Sequence, residues 1–398
     1  MSLSERLAVG PGDLVALRLP PGPAWLRAVT DLWAAGAAIL PLDVRLSSSE
    51  LRAIIALADP GVIESAEGTQ IRESGASVDE RVGLVMPTSG TSGEPKLAEL
   101  SKEAVSAALH SSTRALGADV QAPWVACLTP AHVGGMLVLL RAAMLGTPVI
   151  VHDRFDPGLI TTAAAIAEAD RPVHVSLVPT MVHRLVFSGI ALHGLTLLVG
   201  GGELESSTRT AAERSGARVV TTYGLTETSG GVAYDGRPFP GTDVRVAADG
   251  GVELRGPTVM RGYRRDPQAT AQAFTRDGWL RTGDIGSVDE DGRIEIRGRA
   301  DDLIRTGAEK VWPIEVERAL ADHPKVADVA VRGAADPQWG QHVTAFVVPE
   351  PLEDPPSLRE LQTHVEGRLA RFKFPRELVL CAEIPRTASG KVRRRDLR

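Results

Sequence analysis

Cysteine is nearly absent from this chain of 398 residues: there are two, Cys127 and Cys381. They lie far apart, each within an apolar run, and their spacing is not that of a metal site. They read as buried core thiols in a reducing, cytoplasmic compartment. The N-terminal stretch MSLSERLAVGPGD lacks a basic region followed by an apolar one, so no secretory signal is expected. A long hydrophobic run is missing too. The longest, Val133 to Val151, is broken by Arg141 and Pro148, which excludes a membrane span there. Positive charge is not in excess. The formal net charge of -6 gives no reason to expect nucleic acid as a partner. No internal repeats or low-complexity tracts occur.

What remains is an ordinary globular composition, 43% hydrophobic and 24% charged, long enough for two or three domains with a sizeable core. The chain is organised around Met86 to Ser101, MPTSGTSGEPKLAELS. A short apolar run, Val82 to Met86, has the character of a buried strand. Thr88, Ser89, Gly90, Thr91, Ser92 and Gly93 follow, then Pro95 and Lys96, and a helix-like segment begins near Ser101. The glycines free the backbone, the hydroxyls offer donors and Lys96 brings a positive charge. Backbone amides in such a loop can point inward and cradle phosphate oxygens. A solvated Gly/Ser/Thr linker is the alternative, although linkers rarely follow a buried strand. The spacing is not that of the GxxxxGK[ST] loop.

Around this stretch strands and helices alternate. Strands are expected over Asp13–Leu19, Ala37–Leu42, Trp124–Leu128, Thr147–Val151, Val173–Val178, Leu195–Val199 and Arg218–Thr222. Helices are expected over Trp25–Gly36, Leu51–Ala58 (opened by a capping box of Ser47 and Glu50), Lys102–Leu116, Gly134–Leu145, Thr161–Ala169 and Thr180–Phe187. Residues 61–81 read as a polar loop. The order predicts an α/β architecture of layered, largely parallel sheets. From Gly231 to Arg297 short alternating runs and turn signals predict a β-rich, barrel-like subdomain. After Arg299 a small α+β domain follows, with a helix starting at Pro313, strands at Val326–Val331 and His342–Val348, a helix over Ser357–Leu369 and a strand at Leu378–Leu380. The expected domains are residues 1–300, with 231–297 as the subdomain, and 301–398.

Four further stretches carry polar residues that a fold alone does not need. TTYGLTETSGG, Thr221 to Gly231, follows a buried strand, where α/β sheets place ligands. Tyr223 could lie on a base, Thr226 donate to a phosphate and Glu227 hold Mg²⁺; a polar turn capped by Gly224 is the alternative. In WLRTGDIG, Asp284 could take both hydroxyls of a ribose, or form an Asx-turn. GRADDLIRTGAEKVWPIEV lies at a change of composition, with Arg299 as a nucleotide contact and Asp301 and Asp302 as hinge candidates, or as parts of a charged linker. PRTASGKVRRR presents Lys391 on a tight turn, or forms a solvated basic tail.

Together, in this order, these five stretches resemble the adenylate-forming superfamily of acyl-CoA synthetases, peptide-synthetase adenylation domains and luciferases, over nearly the whole chain. The resemblance implies ATP, Mg²⁺ and coenzyme A as cofactors, with a small carboxylic acid as partner. It makes Thr88 to Lys96 the phosphate loop and sets Gly200, Gly201 and Gly202 beside the adenine on which Tyr223 stacks. Thr226 then contacts the α-phosphate and Glu227 the metal. Asp284 and Arg299 take the ribose, Asp301 is the hinge of a mobile C-terminal domain, and Lys391 is the lysine of adenylation. Gly307 lines a pantetheine tunnel. TPAHVGG, Thr129 to Gly135, resembles the motif whose histidine, His132, borders the acyl pocket; by its sequence context alone His132 reads as a core histidine. Gly134, Gly135, Ser229, Gly230 and Gly231 would complete that pocket. Three departures from the pattern are Leu97 after Lys96, Leu280 in place of an aromatic residue, and a shorter N-terminal region.

Within the superfamily, the short N-terminus and YGLTETSGGVAYDG resemble compact o-succinylbenzoate–CoA ligases of menaquinone biosynthesis. Another aryl- or medium-chain acyl-CoA ligase and a stand-alone enzyme loading a carrier protein are the alternatives. A non-catalytic nucleotide-binding regulator need not keep Glu227, Asp284 and Lys391 together. A homo-oligomer is compatible with the sequence, which does not set the oligomeric state. If Lys391 serves only adenylation, Lys391→Ala lowers adenylate formation about a hundred- to thousand-fold, the effect of removing such an electrostatic donor. Thioester formation from supplied acyl-AMP is then largely unchanged. Equal loss of both half-reactions would show that the lysine is not specific to the first.

Overall fold

The computed structural model describes residues 2–88, 96–166, 171–307, 309–386 and 392–398. The chain forms two compact units, Met1–Val244 with Leu254–Leu280, and Arg245–Glu253 with Arg281–Arg398.

The first unit contains two seven-stranded sheets. In one, the strands Leu14–Arg18, Ala38–Pro41 and Val82–Thr88 run parallel, and Lys96–Ser101 returns antiparallel to Val82–Thr88. Their apolar runs are continuous because both faces are buried. Alternate residues divide between two cores. Val15, Leu17, Ile39, Leu84 and Met86 face one cluster. Leu14, Ala16, Ala38, Leu40 and Val85 face another. In the second sheet the strands Arg218–Leu225, Leu195–Val199, Val173–Leu177, Trp124–Ala126 and Val149–Val151 are parallel neighbours, and Gly230–Tyr234 closes antiparallel on the first of them. Residues of the helices Pro23–Ala34, Lys102–Leu116 and Val133–Leu145 share one core with strands of both sheets, among them Trp25, Leu109 and Leu139.

The second unit carries most of a four-stranded sheet, in the order Asp243–Val246, Gly251–Arg255, Leu280–Val288, Ile294–Arg299. It also holds a five-stranded sheet in which Val326–Asp336 and Gly340–Pro349 pair antiparallel, packed with the helices Pro313–Ala321 and Leu358–Val365.

The strand-helix alternation agrees with the pattern read from the sequence. The Ser47–Glu50 capping box is present, with Ser47 Oγ accepting from the Glu50 amide at 3.3 Å and Glu50 Oε2 from the Ser47 amide at 2.9 Å. Three differences have physical causes. The polar stretch 61–81 contains an antiparallel hairpin, Val62–Ser65 with Gly68–Ile71, at the sheet edge. An edge strand needs no continuous apolar run, so periodicity misses it. The Ala-rich helix starts earlier, at Pro157, which favours the first helical turn. The β-rich stretch 231–297 is not one barrel-like body. Gly230–Tyr234 and Arg237–Pro238 extend one large sheet, Gly262–Tyr263 borders the other, and four strands form their own sheet. Among the described residues, no helix is long and apolar enough to cross a membrane.

Two basic groups are buried against one indole. The Arg141 guanidinium lies 4.0 Å from the Trp124 ring and donates to the hydroxyls of Thr113 at 2.7 Å and Ser112 at 2.6 Å. The His174 ring sits 4.9 Å from Trp124, and neither ring nitrogen has a hydrogen-bond partner among the described residues. Burial, aided by Arg141 and Arg218, pushes the His174 imidazole down to about 4. The folded state therefore disfavours the proton. His174 contributes stability above pH ~6.5, and that contribution is lost as the pH falls through ~4, a total of about 3 kcal/mol. His174→Phe keeps a ring against Trp124 and removes the titration. Urea unfolding at pH 7 and pH 4.5 is expected to show an acid loss smaller by about 2–3 kcal/mol in the variant. Equal losses in both proteins would show that His174 does not titrate on unfolding.

Candidate active site

The site begins where strands of the first unit end. Thr88 and Lys96 are cross-strand partners at the mouth of the hairpin Val82–Thr88/Lys96–Ser101. Ser89, Gly90, Thr91, Ser92 and Gly93, expected in the phosphate loop between them, lie outside the described residues.

The strand Leu195–Val199 ends with Val199 opposite Thr221, and its parallel neighbour Arg218–Leu225 runs on past it. Gly200 follows Val199, and a Cβ there would stand 2.3 Å from Thr222 Oγ1, so a side chain at this position would have to displace the Thr222 hydroxyl on the strand that carries Tyr223. After Leu225 the chain makes a 3₁₀ turn, Thr226–Thr228, and Ser229 takes a left-handed conformation at φ 52°. Two buried hydroxyls hold the turn. Thr228 Oγ1 accepts from the Leu225 amide at 2.9 Å and donates to the Gly230 carbonyl at 2.7 Å, and Ser229 Oγ donates to the Thr258 carbonyl at 2.9 Å. Gly224 is forced by close approach, since a Cβ would come 2.0 Å from the Gly230 oxygen. Thr226 and Glu227 are left half-buried on this fixed turn.

Glu227 faces the phosphate-loop hairpin through a residue the sequence did not single out. Tyr263 donates its hydroxyl to Glu227 Oε1 at 2.8 Å, and Lys96 Nζ lies 5.1 Å from the centroid of the Tyr263 ring. Among the described residues, no three His, Cys, Asp or Glu side chains gather as metal ligands. One oriented carboxylate fits Mg²⁺, which keeps several waters and is held by one or two carboxylates together with substrate phosphates.

His132 is the N-cap residue of the helix Val133–Leu145 and is exposed. It is therefore not the core histidine that its context suggests: the preceding turn ends the buried run and turns the ring outward. Gly134 has room for a methyl group, since an added Cβ would make ordinary contacts with Leu128 Cδ1 at 3.7 Å and Ser176 Oγ at 3.9 Å. Gly135 has none, since a Cβ would meet the Thr129 carbonyl oxygen at 2.3 Å. Gly230 comes against the same helix, where a Cβ would lie 2.5 Å from Leu137 Cδ1. The segments 132–135 and 229–231 thus meet on this helix, with the Ser229 hydroxyl turned to Thr258.

The other expected residues belong to the second unit. Asp284 and Arg299 are opposite each other across antiparallel strands. Arg299 Nη1 donates to Asp284 Oδ1 at 2.9 Å and to the Thr282 carbonyl at 2.8 Å. Gly283, at φ 72°, leaves room for the guanidinium, since a Cβ would lie 2.8 Å from Arg299 Nη2. Asp301 is exposed on the 3₁₀ turn Ala300–Asp302. Gly307 is left-handed at φ 63° and its amide donates to the Trp339 carbonyl at 2.7 Å. Lys391 lies outside the described residues. Tyr263, Thr228 and Thr258 were missed because single Tyr and Thr residues carry no motif; only their partners give them a role.

The Thr-Glu turn thus follows a parallel strand of the first unit, and the Asp–Arg pair lies on the second. The sequence profile of the AMP-binding enzymes matches residues 73–264, and that of the AMP-binding enzyme C-terminal domain matches residues 315–391. The chain belongs to this family of AMP-binding enzymes. It is 36% identical over 332 residues to the probable 2-succinylbenzoate–CoA ligase of Mycobacterium tuberculosis, covering 81% of this chain and 85% of that one. The o-succinylbenzoate CoA synthetase of Bacillus subtilis, solved with the acyl-adenylate intermediate OSB-AMP, superposes with a TM-score of 0.86 at 26% identity, over 98% of this chain and 89% of that one. The same Bacillus enzyme with ATP and magnesium ion gives a TM-score of 0.86 at 26% identity, over 99% and 90% of the two chains.

Substitutions at the adjacent glycines 134 and 135 test which of them lines an acyl pocket and which serves packing. Gly134→Ala is expected to leave stability within about 0.5 kcal/mol and to raise the KM for the acid. Gly135→Ala forces a methyl group onto backbone oxygens and should cost about 1–3 kcal/mol. Thermal melts with steady-state kinetics check both, and an unchanged KM in Gly134→Ala would take that position out of the pocket.

Proposed function

We propose that this chain is an ATP-dependent o-succinylbenzoate–CoA ligase of menaquinone biosynthesis, acting through an acyl-adenylate. The observation that carries the chemistry is the Thr226–Glu227 turn held against the Thr88/Lys96 hairpin by Tyr263. The likeness to 2-succinylbenzoate–CoA ligases supports the substrate.

A carboxylate is a poor acyl donor because oxide would have to leave. In the first half-reaction a carboxylate oxygen attacks the α-phosphorus of ATP. The bond to the bridging oxygen breaks and pyrophosphate leaves. Negative charge spreads over the phosphoryl oxygens, where the Thr226 hydroxyl and Lys391 would donate. Glu227 would hold Mg²⁺, which when bound supplies charge neutralisation at those oxygens. In the second half-reaction the CoA sulfur attacks the acyl carbonyl, and AMP leaves with the electron pair of the broken C–O bond. Domain rotation about Asp301 between residues 1–300 and 301–398 would remove Lys391 and bring the Gly307 loop to the pantetheine path.

An aromatic keto-diacid needs space for a ring and a donor for its second carboxylate. The missing side chain at Gly134 and the exposed imidazole of His132 would contribute to both, where a long fatty chain would favour a continuous apolar lining. The test is CoA-thioester formation with o-succinylbenzoate beside benzoate, coumarate and octanoate at equal concentration. A highest kcat/KM for o-succinylbenzoate is expected. A higher value for any of the three mono-acids overturns the substrate and leaves adenylation in place.

A further inference from the structure

Tyr263 lies between two groups of opposite charge that adenylation requires. Its hydroxyl donates to Glu227 Oε1 at 2.8 Å, and its ring is 5.1 Å from the Lys96 ammonium. A carboxylate can only accept, so this bond runs from the phenol and engages one named oxygen. An ammonium within about 6 Å of an aromatic centroid is attracted to the ring. One side chain thereby touches both the proposed metal ligand and the end of the phosphate loop.

The base of the ring is fixed. Tyr263 pairs with Ala98 on the phosphate-loop hairpin, and its amide donates to Thr270 Oγ1 at 2.8 Å. The flanking amides of Arg261 and Arg264 donate to the Glu99 and Leu97 carbonyls at 2.9 Å and 2.8 Å. Arg264 is itself buried, and its guanidinium donates to the Ala58 carbonyl at 2.6 Å and to the Glu99 carboxylate at 3.3 Å. The Glu227 backbone is tied to the same segment, its carbonyl accepting from the Met260 amide at 2.8 Å. A phenol on so rigid a base selects one Glu227 rotamer.

We propose that Tyr263 is a positioning residue for the adenylation half-reaction, orienting the Glu227 carboxylate toward Mg²⁺·ATP and bracing Lys96 at the end of the phosphate loop. The proposal rests on the reading of Glu227 as the metal ligand. Tyr263→Phe removes the hydroxyl and keeps the ring under Lys96. Binding is read by electron paramagnetic resonance of Mn²⁺ titrated into enzyme with ATP and no acid, so no turnover intervenes. Tyr263→Phe is expected to weaken Mn²⁺ retention by the ATP-loaded enzyme about tenfold, the scale of one hydrogen bond to a charged group. Adenylation should slow while thioester formation from supplied acyl-AMP and the melting temperature stay as in the wild type. Tyr263→Leu, which also removes the ring, should raise the KM for ATP beyond that of the Phe variant. Unchanged Mn²⁺ binding in Tyr263→Phe overturns the proposal, and so does an equal fall in both half-reactions, the mark of a purely structural tyrosine. Glu227→Gln distinguishes the premise: if it leaves Mn²⁺ retention intact, the metal-ligand reading fails first, whatever Tyr263 does.

Discussion

The helix Val133–Leu145 has almost no polar face to give to water. Its sequence, VGGMLVLLRAAML, is apolar on all sides, and such a helix must be covered all round. Strands of two sheets and two further helices contribute to that cover. Arg141, the helix's one charged residue, is buried too, and is accommodated by two hydroxyls and an indole face rather than by water. Burying a cation this way carries a desolvation cost, seen in an Arg141 guanidinium pushed down to about 10. Burial, aided by the charge of Arg141, keeps the neighbouring His174 neutral. The N-terminal end of this helix, where His132 is exposed, is where the proposed acyl pocket would lie.

The Thr226–Ser229 turn shows how backbone fixity is turned into chemistry. Small residues allow the strands to approach, and buried hydroxyls satisfy the groups the turn would otherwise leave bare. The polar side chains that remain, Thr226 and Glu227, need no structural partner within the turn. Tyr263 then supplies orientation from a separate strand. Preorganised donors and acceptors of this kind cost no reorganisation when charge develops.

The second unit uses charge for the same end. Asp284 and Arg299 are cross-strand partners whose approach depends on the left-handed Gly283. Glu317 is buried in the helix Pro313–Ala321, and burial pushes its carboxyl up, while Arg394 Nη2 donates to both its oxygens at 2.7 and 2.8 Å. The Val331 amide adds a bond at 2.7 Å. A buried pair so fully satisfied fixes geometry more than it adds stability. It ties residues 392–396, next to Lys391 in sequence, to the body of this unit.

The sequence by itself determined the strands with continuous apolar runs, the Ser47 capping box, the alternation of strand and helix and the stretches that carry the site, because each depends on neighbours within a few residues. It also put Thr226 and Glu227 just after a buried strand, where they lie on a 3₁₀ turn, whereas Asp284, expected between strands, and Arg299, expected at a domain boundary, are cross-strand partners within a sheet. Pairing and burial were decided only by tertiary structure. The outer strand of the hairpin, Gly68–Ile71, is polar because an edge strand has one open side, and the stretch 231–297 was divided among three sheets by partners far away in sequence. His132 is exposed and His174 buried although both follow apolar context, since exposure depends on what packs above a residue. Tyr263 and Glu227 stand 36 residues apart, and Ser229 and Thr258 stand 29 apart. No local pattern encodes such a contact, because a hydrogen bond is set by where two strands end in space, and that is fixed only when the sheets close on their shared core.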